Sequence, residues 1–325
     1  MQTGKLIIKA KPRIHITLIG MNRDGYRING GAGFAIDEPS IKLSFECAEN
    51  FKLTDNRKYF LSAEEINRVS NIINQVKRQL NLFHNINAEI SGDMPSHFGF
   101  GSSTAIRLSC LEALYILNGL KINPEQIVLS SGRGGTSGIG INTYFLGGFI
   151  IDLGRKLEDN PSHHPSSLSE NRLILPLMMQ RLEMPDWEIG ICIPKTIPNK
   201  NENEEKKFFL KTCPIPSSSA YEILYNVIYG LYSSIREKDK ETFCKAINKI
   251  QECSWKIAER KEYGEGLFKL EQQLYNAGAN SVGMSSLGPS LFFFAENVHE
   301  VIRKIDANCH LFITKPTNEG RSING

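Results

Sequence analysis

The 325-residue sequence has no unbroken run of the ~20 apolar residues that a membrane-spanning helix requires. It has no Cys-x-x-Cys pair: its seven cysteines, at 47, 110, 192, 213, 244, 253 and 309, are odd in number and scattered. That pattern argues against a disulfide framework and against a thiolate zinc site. Charge of one sign is also scarce. Thirty-eight Lys and Arg against 35 Asp and Glu leave a formal net charge of +3, too little to draw the chain to nucleic acid or to an anionic membrane. Two familiar phosphate motifs are missing: no GK[ST] follows a glycine loop, and Ser103 and Thr104 break any GxGxxG. With no apolar leader at its N-terminus, the expectation is a reduced protein of the cytoplasm.

What the sequence does contain is glycine, in three separated clusters. In Asp93–Leu120, Gly99 and Gly101 precede Ser102, Ser103 and Thr104, and an apolar helical pattern follows (Ile106, Cys110, Leu114, Leu117). Glycine permits positive φ and close approach to the backbone, and the leading amides of a helix have no intrahelical acceptor. The junction therefore reads either as a phosphate or pyrophosphate cradle or as a tight connection with a Ser-Ser-Thr cap. The second cluster, Gly132–Gly140, holds Arg133 and Gly134. A planar guanidinium suits a phosphate or carboxylate, and the alternative is a surface arginine paired with an acid. The third runs from Gly278 to Ser290 and includes Ser286 and Gly288.

Around these clusters, strands are expected at 5–11, 13–18, 34–37, 41–48, 87–91, 149–152, 187–194, 291–294 and 311–314. Alternation in the second strand puts Arg13, His15 and Thr17 on one face, which either meets a ligand or packs as core. Asn29–Gly33 reads as a flexible loop. Ser62 and Glu65 form a capping box for a helix over 63–82 whose apolar stripe is core, and Asn123-Pro124 starts another helix. Residues 156–171 are polar and aperiodic, a loop or interdomain connection in which His163 and His164 read as solvated rather than metal-bound. The charged run 199–207 reads as a solvated loop. Helices are expected at 218–236, 240–260, 266–277 and 298–305, and the last ten residues as a frayed tail.

Three glycine clusters in this order resemble the GHMP superfamily of small-molecule kinases. Pro95–Ser103 is similar to its PxxxGLGSS motif, and Ser285-Ser286-Leu287-Gly288-Pro289 to its C-terminal loop. The resemblance covers almost the whole chain and implies an α+β architecture. An N-terminal domain of the ribosomal-protein S5 domain 2-like type would occupy residues 1–170 and a ferredoxin-like domain 171–325, with the active site between them. In the kinases the middle loop carries an aspartate that accepts or orients the substrate proton, and here Thr136–Gly140 has glycine in its place. General-base catalysis is worth ~10²–10⁴-fold, so the departure argues against phosphoryl transfer.

The chain more closely resembles the branch containing β-ribofuranosylaminobenzene 5'-phosphate synthase. The similarity lies at Arg13–Ile19, at Gly30–Gly33, and at Gly132-Arg133-Gly134 with Ser137–Gly140 leading to Gly147–Asp152. That resemblance implies transfer from phosphoribosyl pyrophosphate (PRPP) to a ring carbon of an aromatic or heteroaromatic carboxylate, with loss of CO2 and pyrophosphate. It implies small-molecule substrates, Mg²⁺, no requirement for ATP, and a homodimer. Gly99, Gly101, Ser102, Ser103 and Thr104 would stabilise the departing pyrophosphate. Arg133 would hold the ribose 5'-phosphate or the acceptor carboxylate. Arg13, His15 and Thr17 would line the opposite wall, with Gly134, Ser286 and Gly288 completing the substrate site. Asp152 would bind Mg²⁺ or secure a strand end. An ATP-dependent kinase with a relocated base is the alternative.

Overall fold

The computed structural model describes residues 5–158, 163, 174–305 and 308–325. The chain begins with β1 (Leu6–Ala10), β2 (Arg13–Gly20), β3 (Arg27–Ala35), β4 (Ile41–Ala48) and β5 (Lys52–Asp55). Helix α1 (Ala63–Gln79) leads through β6 (Asn85–Gly92) to α2 (Ser102–Leu117), α3 (Pro124–Ser131) and α4 (Ile139–Leu146). The short strands β7 (Phe149–Asp152), β8 (Arg155–Lys156), β9 (Met178–Leu182) and β10 (Ile189–Pro194) follow. Next come α5 (Glu202–Thr212), α6 (Ser217–Tyr225), a π-helical stretch (Asn226–Tyr232), α7 (Ser233–Glu237), α8 (Lys240–Glu252), α9 (Ser254–Lys261) and α10 (Gly264–Ala277). The chain ends with β11 (Ala279–Met284), β12 (Leu291–Ala295), α11 (Val298–Lys304), β13 (Cys309–Thr314) and β14 (Ser322–Asn324).

These strands make three sheets, ordered β14-β1-β4-β6-β5, β2-β3-β7-β9 with β8 also on β3, and β11-β12-β10-β13. Read as β13-β10-β12-β11, with helices after β10 and before β13, the last is the antiparallel sheet of a ferredoxin-like α+β unit. Helix α1 starts at the expected capping box, in which Ser62 accepts from the Glu65 amide and Glu65 accepts from the Ser62 amide. Its buried Val69, Ile73 and Val76 join one core with β1, β4 and the inner face of α2.

Several elements differ from their sequence reading, each for a visible reason. Asn29–Gly33 is not a loop but the middle of β3, where the glycines let neighbours crowd the strand. A Cβ on Gly33 would lie 2.3 Å from the Ile14 carbonyl oxygen and 2.8 Å from Ile139 Cγ2. The 199–207 run is not a solvated loop: Asn201 and Glu204 form a second capping box that starts α5. His163 is buried rather than solvated, and His164 lies outside the described residues. The seven cysteines form no disulfide, as expected.

The C-terminal residues are not frayed. Ser322–Asn324 pairs with β1, and the chain crosses α4 where Gly320 lies so close that a Cβ would stand 2.3 Å from the Phe145 carbonyl oxygen. Arg321 Nη2 donates to Glu112 Oε1 at 2.6 Å, and the Tyr144 hydroxyl donates to Glu112 Oε2 at 2.6 Å. Because β9 hydrogen-bonds to β7 and β14 to β1, the division expected at residue 170 is crossed twice by strand pairing. The Glu112 side chain is 0% exposed, so removing its cation leaves a buried carboxylate uncompensated. Arg321→Ala is expected to lower unfolding free energy by about 3–5 kcal/mol in denaturant titrations, whereas the uncharged double exchange Glu112→Gln with Arg321→Met, which keeps an acceptor for the Tyr144 hydroxyl, recovers most of that loss.

Candidate active site

The first glycine loop is held at both ends. Arg57, buried between Asp55 and the loop, donates to the Met94 carbonyl at 2.7 Å and to Ser96 Oγ at 3.1 Å. Further on, His97 Nε2 lies 2.8 Å from Glu65 Oε1, and Ser103 Oγ donates to the same oxygen at 3.3 Å. Burial pushes the Glu65 carboxyl up, but the His97 contact and the Ser62 cap outweigh it and hold its pKa down at about 2. The His97 imidazole is raised in turn by its hydrogen bond to Glu65, against its own burial. The capping box of α1 is therefore also a strut for the loop.

Gly99 and Gly101 take φ of 89° and 83°, the left-handed region that favours glycine. The turn they make places the loop against the third cluster: a Cβ on Gly99 would lie 2.1 Å from the Ser285 carbonyl oxygen, and one on Gly288 would lie 2.3 Å from the Gly99 nitrogen. Ser285 Oγ donates to the Gly99 carbonyl at 2.6 Å, and Arg13 Nη1 donates to the same oxygen. No side chain caps α2, whose N-cap is Gly101, so the Ser102 and Ser103 amides and the Ser102 hydroxyl remain to meet a ligand.

Two guanidiniums flank that helix end. Arg133 Nε donates to Thr104 Oγ1 at 2.9 Å. Burial lowers the pKa of both Arg13 and Arg133 to about 10, so both stay charged at neutral pH. Arg13 Nε and Arg133 Nη1 are buried with no hydrogen-bond partner. A buried donor left unmade costs ~1–3 kcal/mol, more when charged, and a bound anion removes that cost.

The cleft has an empty volume of about 1040 Å³, part of it open to solvent. It gathers Arg13 and His15 from β2, Gly99, Gly101, Ser102, Ser103 and Thr104 from the first loop, Arg133 and Gly134 from the second, and Ser286 and Gly288 from the third. Two expected members do not line it. Thr17 turns away because β2 bulges between His15 and Thr17, so the two-residue alternation breaks and Leu18 takes the cleft-facing place. Thr17 Oγ1 donates instead to the Leu18 carbonyl at 2.8 Å.

Asp152, fully buried, stands one layer behind. It accepts from Gly138 N and Gly154 N, both at 2.9 Å, and from Ser137 Oγ at 3.1 Å. Burial raises its pKa to about 7 against those three donors. Ser137 Oγ is also 3.1 Å from His15 Nε2. Since Ser137 donates to Asp152, His15 must donate from Nε2. Burial, with Arg13 and Lys256 nearby, holds the imidazole pKa well below its ordinary value, so it is neutral. Asp152 thus positions the middle loop rather than touching a ligand.

Four cleft residues were not singled out in the sequence: Glu202, Glu205 and Phe209 on α5, and Glu259 on α9. Their signal was present in the Asn201-x-x-Glu204 box and in the 202, 205, 209 spacing of one helical face, yet the run's charge read as solvent exposure. His97 also lines the cleft and falls within the Pro95–Ser103 motif. Glu202 pairs with Arg68, and Glu259 with the buried Lys256. The Glu205 carboxyl is pushed up to about 7 by burial, against His97, Arg133 and Arg13.

This fold and these loops define a protein of the GHMP superfamily. Residues 67–147 match the GHMP kinases N terminal domain. The structure superposes on homoserine kinase from Cytophaga hutchinsonii with a TM-score of 0.68 at 16% identity, over 100% of this chain and 98% of that one. It superposes equally on L. major mevalonate kinase, with a TM-score of 0.68 at 13% identity over 98% and 97% of the two chains; such identities show the fold alone. The chain belongs to the β-ribofuranosylphenol 5'-phosphate synthase family. It is 33% identical to the Archaeoglobus fulgidus member over 98% of this chain and 99% of that one. To the Methanothermobacter thermautotrophicus member it is 27% identical, over 97% and 98%. Among the described residues no helix is long and apolar enough to cross a membrane.

Two substitutions check this geometry. Gly99→Ala forces a Cβ into backbone and is expected to abolish anion binding in calorimetry, whereas Gly101→Ala, with Arg13 Cγ at 3.3 Å as its nearest contact, weakens binding but leaves it measurable. Asp152→Asn turns an acceptor of three hydrogen bonds into a group that must donate towards other donors. A stability loss of about 1–3 kcal/mol in denaturant titration is expected.

Proposed function

We propose that this protein forms a C-riboside from PRPP and an aromatic acid, releasing pyrophosphate and CO2. The observation that carries the reading is the pair of buried, unsatisfied guanidinium donors on either side of an uncapped helix end. Such a site suits a donor with two separated anionic groups, a diphosphate and a 5'-phosphate. Family membership supports the same reading. The relatives are named for a ribofuranosylphenol 5'-phosphate, so we take the acceptor to carry a ring hydroxyl, as 4-hydroxybenzoate does, rather than the amino group of para-aminobenzoate.

In this scheme the departing diphosphate lies on Gly99, Gly101, Ser102, Ser103 and the α2 amides, where fixed dipoles stabilise charge as it develops. Arg133, oriented through Thr104, holds the 5'-phosphate or the acceptor carboxylate. Arg13 is fixed by the Gly99 carbonyl and faces the same anions, while neutral His15 and the third loop at Ser286 and Gly288 close the far wall. Magnesium fits only as an ion carried mainly by substrate. No group of three His, Cys, Asp or Glu side chains suited to a metal occurs among the described residues, and Mg²⁺ commonly binds substrate phosphates with one or two protein oxygens. The Ser102 hydroxyl would be one such oxygen, and the ion would neutralise charge on the diphosphate. One observation favours the ATP-dependent kinase as a second reading, namely that α5 supplies carboxyls the middle loop lacks.

With both PRPP and 4-hydroxybenzoate present, the protein is expected to release pyrophosphate and yield a C-riboside detectable by mass spectrometry, with no release when either is omitted. Arg133→Lys, which loses the planar fork, is expected to lower kcat/KM at least tenfold. ADP formation from ATP without any aromatic acid would instead support the kinase.

A further inference from the structure

The Glu205 carboxyl is surrounded by charge yet used by none of it. Its neighbours are Arg13 from β2, His97 from the first loop, Arg133 from the second, Glu259 and Tyr263 from α9 and its end, and Glu202 on its own helix. Glu202 and Glu259 have committed cations in Arg68 and Lys256, the latter also donating to the Met284 carbonyl at 3.0 Å. Among the described residues no cation lies within ion-pair distance of Glu205, although its carboxyl borders the cleft. Four residues on, one helical turn, Phe209, buried to 7% exposure, contributes a small apolar edge to the same cleft. Its ring is fixed by Trp255, 5.5 Å away between centroids. Helix α5 therefore brings a fixed apolar edge and an uncommitted carboxyl side by side into the cleft that the glycine loop and its two arginines also line.

We propose that Glu205 accepts the ring-hydroxyl proton of the aromatic co-substrate, whose ring edge packs beside Phe209. The inference rests on the C-riboside reading above and names the acceptor half of that site. The hydroxyl proton passes to Glu205, and the oxygen's electron pair moves through the ring to the carbon bearing the carboxylate. That carbon bonds to C1 of the ribose as the C1–O bond to diphosphate breaks. Loss of CO2 returns an electron pair to the ring, and the phenolate oxygen takes its proton back from Glu205. Nothing is oxidised and no further reactant enters. The raised pKa of Glu205, about 7 through burial, brings it nearer that of a phenol than an ordinary carboxylate would be, which suits a general base working at neutral pH. Below that value Glu205 is protonated and cannot accept, so activity rises with pH through it.

The test compares wild type, Glu205→Gln and Glu205→Asp on 4-hydroxybenzoate and on 4-aminobenzoate, whose nitrogen donates into the ring without first losing a proton. Wild type is expected to show an acidic limb in kcat/KM near pH 7 on the hydroxy acid. Glu205→Gln should lose that limb together with about 10²-fold or more of the rate on the hydroxy acid, and less than ~10-fold on the amino acid. Glu205→Asp should restore part of both. Calorimetry should show PRPP binding to Glu205→Gln within a few-fold of wild type, which separates lost chemistry from a misfolded cleft. Equal losses on the two acceptors, an unchanged pH profile, or a raised Mg²⁺ requirement with the limb intact would overturn the role given to Glu205. A wild type that releases no pyrophosphate from PRPP with any aromatic acid would instead overturn the functional reading, and this inference with it.

Discussion

At Gly99 and Gly288 the first and third glycine loops meet backbone to backbone, close enough that a Cβ on either would lie 2.1 Å or 2.3 Å from the other loop's main chain. These loops are separated by more than half the chain, and their contact is what makes a cleft out of the two halves. Ser285 ties it by bonding the Gly99 carbonyl with its side chain, and β2 is bolted to it because His15 N donates to Ser285 Oγ while Ser286 N donates to the His15 carbonyl. Arg13 and His15 point into the cleft as a consequence. Only residues without side chains permit such an approach, so glycine at these two positions is a requirement of geometry rather than of flexibility.

The electrostatics follow from that closeness. One guanidinium nitrogen each of Arg13 and Arg133 is shut off from water by the packed loops and finds no acceptor within the protein. A folded protein tolerates this only where the remaining structure supplies the stability, as it does here through the Glu65–His97 and Arg57–Asp55 contacts that brace the first loop. The acids of α5 and α9 face the arginines across the cleft, and two of the three are neutralised by cations of their own. The cleft therefore keeps a positive wall and a more nearly neutral wall, an arrangement that fits the polyanionic donor and aromatic acceptor proposed above.

The sequence was most readable where a local rule acts alone. Ser62 with Glu65, and Asn123 before Pro124, mark helix starts because the cap chemistry involves only neighbouring residues. The three glycine clusters and Arg133 were readable as a set because close approach demands glycine whatever surrounds it. Legibility failed where a tertiary contact reversed the local preference. Gly30, Gly31 and Gly33 look like a loop until Ile14 and Ile139 are seen pressing on β3. Thr17 belongs with His15 by alternation until the bulge at Ile16 shifts the register. The polar tail after Thr314 looks frayed until Glu112, buried and negative, is seen to need Arg321. Glu205 was obscured for the opposite reason, since a run of charge is usually a solvated face and only the fold shows that this helix turns one side inward.

Kinases and this family share a fold at identities of 13–16%, so the architecture by itself does not select a reaction. What differs is where carboxyls stand relative to the phosphate loop. In the middle loop Thr136–Gly140 carries none, and the nearest acid behind it, Asp152, spends its oxygens on Ser137, Gly138 and Gly154. That leaves the loop rigid but without a base at the position from which a kinase would act on an alcohol. The acids that do reach the cleft come from α5 and α9, across from the glycine loop, alongside the apolar edge of Phe209. A base on that side serves a planar acceptor packed beside the helix better than an alcohol aligned with a terminal phosphate, because positioning the acceptor before any proton moves is what such a wall supplies. Moving the acid from loop to helix would change the class of nucleophile while leaving the anion cradle intact.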